Sequence, residues 1–225
     1  MPEVIFKFDK EKDLWNIWDT CNFESKWSDD FTRGISPELI LLCKGKKFKD
    51  VKDKLKKCRK KMYSSKLIPI TTKAFNECWK NVNNEFFERL EKIMKKPFCC
   101  DKVTAYLTSV RRCPYNYKKE DAYFFVNLFG GIPNAMGIAG HEIMHIQFHN
   151  TYWPRIEKQI GKEKTADLKE ALTVLLNLEF KDLWLVKDEG YSSHQKLREF
   201  IEKEWKKEPD FDILLEKCVE YFKGD

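Results

Sequence analysis

His141-Glu142-Ile143-Met144-His145 forms an H-E-x-x-H run in a chain that has only four histidines. On a helix, residues four apart share a face and lie about 6 Å apart along the axis, so both imidazoles can grip one metal ion. Glu142 sits one residue round from His141, where its carboxylate can reach a water on that ion and take its proton. The chemistry this predicts is metal-assisted hydrolysis. The competing reading is a pair of hydrogen-bonded core histidines.

The positioning element must be a helix. The stretch Gly137 to Phe148 is apolar apart from the motif and Gln147, in a chain whose other helices carry lysine and glutamate on their outer sides. A helix apolar all round is a buried one, and polar side chains on it need partners that a metal supplies. Gly137 and Gly140 weaken the helix, which makes sense if another part of the chain or a substrate passes close by.

Two histidines leave a third protein ligand to find. His149 continues the four-residue spacing, but eight residues from His141 place it ~80° round and about 12 Å along the axis, too far to share an ion. With Asn150 and Pro154 following, it reads as a residue at the helix end, favoured by the C-terminal dipole. Glu170, 25 residues beyond His145 in the apolar run Ala166 to Leu178, is the better candidate. A buried carboxylate is costly unless it meets a metal or a cation, so the alternative for Glu170 is a salt bridge to a lysine. Glu163 and Glu179 are weaker choices. Asn177 lies two turns on along the same face and can support the ligand from behind.

An H-E-x-x-H helix followed some twenty to thirty residues later by a glutamate on a second helix resembles the gluzincin branch of zinc metallopeptidases, the thermolysin-like group. The resemblance spans about Tyr123 to Asn177. It implies His141, His145 and Glu170 as ligands of one zinc ion, Glu142 as general base, and a peptide or protein substrate. Two histidines and a carboxylate also suit Fe(II), and a metal-binding fold that does not turn over is the other expectation. Members of that group keep an acid four residues after the ligand glutamate to orient a histidine; Val174 stands there, so the orienting group must come from elsewhere. A donor for the developing oxyanion is needed as well. His194, in the C-terminal region where the group keeps such a residue, is the first candidate, with Tyr191 and Tyr152 as competitors.

The resemblance also implies a sheet edge beside the motif helix, where a peptide can add as a strand. Val103 to Arg111 alternates and is β-branched, Ala122 to Phe129 is a dense apolar run, and Pro114 to Asp121 reads as a loop between them. A hairpin follows, with the second strand facing substrate. Thr72 to Lys96 carries apolar residues at three- and four-residue steps and predicts a long amphipathic helix behind the sheet. Ser36-Pro37-Glu38 starts a helix over Leu39 to Leu42, and Leu197 to Trp205 and Ile213 to Phe222 predict two more. The fold class is therefore α+β and mostly helical, with zincin-like architecture as the resemblance implies. The expected division is an N-terminal helical region at 1–66, which could cover the cleft, and a metallopeptidase core at 67–225. That core comprises sheet and motif helix at 67–150 and a helical part at 151–225.

The 225 residues carry a net charge of +6, and eleven basic residues against two acids crowd into Lys44 to Lys61. Phe48, Val51, Leu55, Cys58 and Met62 form an apolar stripe along it. Lysine supplies nearly all the charge and no aromatic residue interleaves on the polar side, so the stretch reads as a packed helix with a solvated face rather than a nucleic-acid-binding one. No transmembrane run and no signal-peptide core appear, nor any N-x-S/T acceptor, so the eight cysteines are expected as reduced thiols in a cytoplasmic protein with no membrane partner. Cys99, Cys100 and Cys113 lack a fourth ligand at metal spacing and read as small buried hydrophobes.

Overall fold

The computed structural model describes residues 1–25 and 30–224. The described chain is mostly helical, with one mixed sheet, an α+β arrangement. The sheet runs β1 (Glu3–Phe8), β2 (Lys102–Thr108), β4 (Tyr123–Asn127), β3 (Tyr115–Asn116) across its width. The first three are parallel, with Phe6 opposite Ala105 and Ala105 opposite Phe124, and β3 is antiparallel to β4 at the margin.

Two expectations change here. The N-terminal stretch 1–66 is not all helical, since Glu3–Phe8 forms an outer strand of the sheet. Its alternation puts Val4 and Phe6 into the main core, a strand pattern too short to stand out beside the helices that follow. The expected hairpin is a parallel pair instead. After β2 the chain reverses along the outer side of β4, where Phe125 N–H donates to Pro114 O at 2.9 Å and Tyr115 pairs with Phe124. It reverses again through Lys119–Asp121 into β4. β4 is thereby enclosed, as its run of buried Phe124, Phe125 and Val126 requires. The margin beside the motif helix is the 111–116 segment, not the second strand.

Helices cover both faces. On one side lie α1 (Lys10–Asn22), α2 (Pro37–Cys43) and α3 (Phe48–Tyr63). Asp9 caps α1 by accepting from the backbone N–H groups of Glu11 and Lys12. Leu14, Ile17, Val51, Leu55 and Tyr63 form a small core there, and Trp15 stacks on Phe125 at 6.0 Å. Asp13, fully buried, accepts from the hydroxyls of Tyr63, Thr108 and Ser109 and from Ser109 N–H. Those bonds anchor α1 to the end of β2. The lysines of α3 point to solvent, with Lys52 paired to Glu11.

The main core lies on the opposite face. The long α4 (Leu67–Met94) sets Phe75 and Trp79 against Phe6 at 5.8 and 6.3 Å. Beside it runs α5 (Gly131–Thr151), the motif helix, buried along most of its circumference. Gln147, its buried amide, donates to Lys96 O and Pro97 O and accepts from Cys99 N–H. α6 (Trp153–Leu172) bends at Gly161, Thr173 separates it from α7 (Val174–Glu179), and α8 (Gln195–Lys207) and α9 (Phe211–Gly224) close the bundle. All eight cysteines are free. No helix among the described residues is long and apolar enough to cross a membrane.

Candidate metal centre

α5 and α6 bring the motif and the downstream glutamate together. Glu170 Oε2 lies 3.1 Å from His145 Nε2 and 3.4 Å from His141 Nε2, and the two imidazole centroids are 4.3 Å apart. One ligand atom from each of the three residues falls within 4.8 Å of the others, so the group could hold a metal ion. His145 is 1% exposed and Glu170 7%, so water cannot stand in for those partners. Two imidazole nitrogens and a carboxylate oxygen are a donor set that borderline transition ions accept. Beside them Glu142 is buried, and its Oε2 has no hydrogen-bond partner. A buried carboxylate oxygen left bare is costly, and a metal-bound water is the kind of group that satisfies one. The residues fit an ion.

An acid does meet His141, from a loop rather than from the position of Val174: Asp188, 47 residues beyond the histidine. Its Oδ2 lies 2.7 Å from His141 Nδ1, fixing which ring nitrogen faces the centre. Asp188 is itself held firmly. Oδ1 accepts from Thr173 Oγ1 at 2.9 Å and meets Arg198 Nη2 at 3.0 Å. Its backbone N–H donates to Asn177 Oδ1, and its carbonyl accepts from Asn177 Nδ2 and Arg198 Nη2. Asn177 thus supports the centre through Asp188's backbone rather than by touching a ligand.

On the other side, Lys169 Nζ donates to Glu170 Oε1 at 2.6 Å and to Tyr115 Oη at 3.0 Å. Tyr115 Oη lies 2.7 Å from His149 Nε2. With the ammonium supplying one proton to that oxygen, the tyrosine's own proton goes to the histidine. His149 is stacked between Tyr117 at 4.2 Å and Trp153 at 4.3 Å. Burial and the nearby Lys169 charge lower its pKa to about 4. It is therefore a neutral, clamped ring, not the dipole-stabilised residue its place near the helix end suggests.

The electrostatics follow from burial and pairing. Burial raises the Glu142 carboxyl to about 7, against the pull of His141 and Lys169. Burial alone would lower His141, but Asp188 and Glu170 outweigh it and lift the ring to about 10. His145 falls to about 3 through burial and the Lys169 charge. Asp188, despite its burial, is held down at about 2 by His141 and Arg198. Glu170 is likewise ionised well below the usual carboxylate range, since His145 and Lys169 overcome its burial.

The centre opens into a cavity of about 450 Å³. His141, Glu142, His145 and Glu170 contribute to its lining, with the 111–115 segment on one side and residues 184–189 on another. The glycines of α5 explain the second wall. A Cβ on Gly140 would lie 2.6 Å from Trp184 Cη2, and one on Gly137 would lie 2.9 Å from Val186 Cγ2. The close neighbour is this loop, anchored by Trp184 stacked on Phe180 at 5.8 Å. Phe23 and Phe31 reach the cavity from the N-terminal region, and the Arg112 guanidinium sits 3.8 Å over the Phe23 ring.

His194 does not join the centre. It is buried with Nε2 3.3 Å from Asp167 Oδ1, because the turn that carries it packs on α6 rather than over α5. Tyr152 is also elsewhere, its hydroxyl donating to Met94 O. Of the three candidate donors only Tyr191 lines the cavity. Glu179 accepts from Trp205 Nε1, and Glu163 is exposed. Among the described residues His141, His145 and Glu170 are the one such group that could hold a metal ion. Sequence reasoning missed Asp188, Lys169 and Tyr115. Lys169 left a signal, as a lysine next to Glu170 between apolar Leu168 and Ala171.

No known family, curated protein or solved structure matches this chain.

Proposed function

We propose that the protein is a zinc-dependent peptidase in which His141, His145 and Glu170 hold the ion and Glu142 is the general base. The observation that carries this reading is the convergence of three donors, His145 and Glu170 buried and His141 half-buried, beside a carboxylate with a bare oxygen, at the wall of an open cavity. When bound, zinc lowers the pKa of a coordinated water and polarises a carbonyl oxygen. Glu142 takes the proton of the attacking water and passes it to the leaving amine, a role that its buried carboxylate with a bare oxygen suits. Asp188 holds the His141 ring in place through the reaction. Tyr191, which lines the cavity, is the residue this reading assigns to the oxyanion. The 111–115 margin of the sheet lines the cavity where an extended peptide would lie, and Ile138, Leu176 and Trp184 give the cavity apolar walls. A two-histidine, one-glutamate set on paired helices is also what the gluzincin resemblance implies, and it supports zinc over iron because the motif brings its own base.

The test is elemental analysis beside a peptide-library screen. About one zinc per chain, lost in His145→Ala and in Glu170→Ala, supports the centre. Hydrolysis that falls about 10²- to 10⁴-fold in Glu142→Gln at unchanged zinc content supports the base. Full zinc occupancy with no cleavage of any library would instead leave a metal-binding protein without turnover.

A further inference from the structure

Glu170 turns its two carboxylate oxygens to different partners. Oε2 faces both histidines, whereas Oε1 is taken by Lys169 Nζ at 2.6 Å. Helix geometry does not force this pairing, since adjacent side chains on a helix diverge by about 100°. Lys169 must fold its stem back, and it is held there. The Tyr115 hydroxyl lies 3.0 Å from Nζ, and that ring's centroid is 4.9 Å away. Tyr115 is pinned by His149, and His149 by the stack of Tyr117 and Trp153. Three elements of the site, the sheet margin, α5 and α6, are committed to placing one ammonium. Burying a lysine that is 6% exposed is expensive, and an apolar side chain would fill the space without that cost.

We propose that Lys169 is a positioning residue that confines Glu170 to a single donating oxygen, keeping the metal's remaining position open for water or substrate. This rests on the His141, His145 and Glu170 centre. A free carboxylate can offer a metal one oxygen or both; one whose second oxygen carries an ammonium hydrogen bond is held turned away with that oxygen and gives it up less readily. The chain Lys169–Tyr115–His149 also gives the last histidine of the H-x-x-x-H run a task that is not ligation.

Cobalt(II) alone is the probe, because its visible bands are strong with four donors and weaken as donors are added. The full chain and its Lys169→Met, Lys169→Arg and Tyr115→Phe variants are loaded with cobalt, and metal content is measured with each spectrum. The expected result is a strong band in the native chain and in Lys169→Arg. In Lys169→Met the band falls by about two-fold or more as the freed oxygen joins, and the drop is smaller in Tyr115→Phe, which loosens the ammonium without removing it. A fully loaded Lys169→Met with the native band, or one that only binds cobalt more weakly, overturns the proposal. Should Lys169→Met not fold, a native band in Tyr115→Phe refutes it instead. A native chain that takes up no cobalt removes the metal centre itself, an outcome distinct from both.

Discussion

Asp188→Asn is the sharpest test of how the centre is held, because it changes one charge and hardly any volume. The carboxylate fixes His141 with Oδ2 and meets Thr173 and Arg198 with Oδ1. An asparagine can satisfy one side only. With its oxygen toward His141, its NH₂ faces the Arg198 guanidinium; with its oxygen toward Arg198, the NH₂ faces a ring nitrogen that needs an acceptor. Removing a partner that orients a ligand histidine typically lowers metal affinity about 10- to 100-fold, or ~1.4 to 2.7 kcal/mol. The stability cost comes from Arg198, which is 4% exposed and would lose its counter-ion. Losing a buried partner outright costs about 3 to 5 kcal/mol. Arg198 keeps the Asp188 carbonyl and the Thr173 hydroxyl as acceptors, so a loss of about 2 to 3 kcal/mol is expected. For a chain of this size that is a drop in Tm of about 4 to 12 °C. Zinc affinity is read by competition with a chromophoric chelator, and Tm by calorimetry of the zinc-stripped protein. An Asp188→Asn chain that binds zinc within about two-fold of the native affinity would show that Asp188 does not orient His141, whatever happens to Tm.

Three further outcomes are expected. His149→Phe preserves the stack between Tyr117 and Trp153 and removes the acceptor for Tyr115, so it should retain native zinc content at a cost of about 1 kcal/mol; loss of the zinc would place His149 among the ligands. Gly140→Ala sets a Cβ against Trp184 and should cost about 1 to 3 kcal/mol while shifting Trp184 fluorescence; native stability would mean the 184–186 loop yields freely. The Tyr63 hydroxyl is raised above its usual range by burial and by Asp13. A group with a raised folded-state pKa contributes stability that is intact below the unfolded value, near 10 for tyrosine, and is lost as pH rises beyond it. The native chain should therefore lose stability above about pH 10, and Tyr63→Phe should flatten that alkaline limb in chemical denaturation; parallel curves for the two proteins would refute the assignment.

What could be read from the sequence, and what could not, divides along a physical line. His141, Glu142 and His145 are bound by helix periodicity, and Glu170 betrayed itself as a carboxylate on an apolar helix. Both signals are local. Asp188 has no local signature, since it lies in a loop between exposed Lys187 and Glu189 and gains its role only when that loop crosses α5. The hairpin expectation failed for a related reason: periodicity reports which residues are buried but not how the chain travels between two buried strands. His194 shows the converse error, a residue of the right type whose turn packs against the wrong helix. Glu170 is the most instructive. Ion pair and metal ligand stand as alternatives in the sequence, because a residue is read there as one object with one partner. In three dimensions its two oxygens are separate acceptors, one turned to Lys169 and the other to the histidines. The salt bridge is then no rival to the ligand but the reason that a single oxygen is left to serve as one.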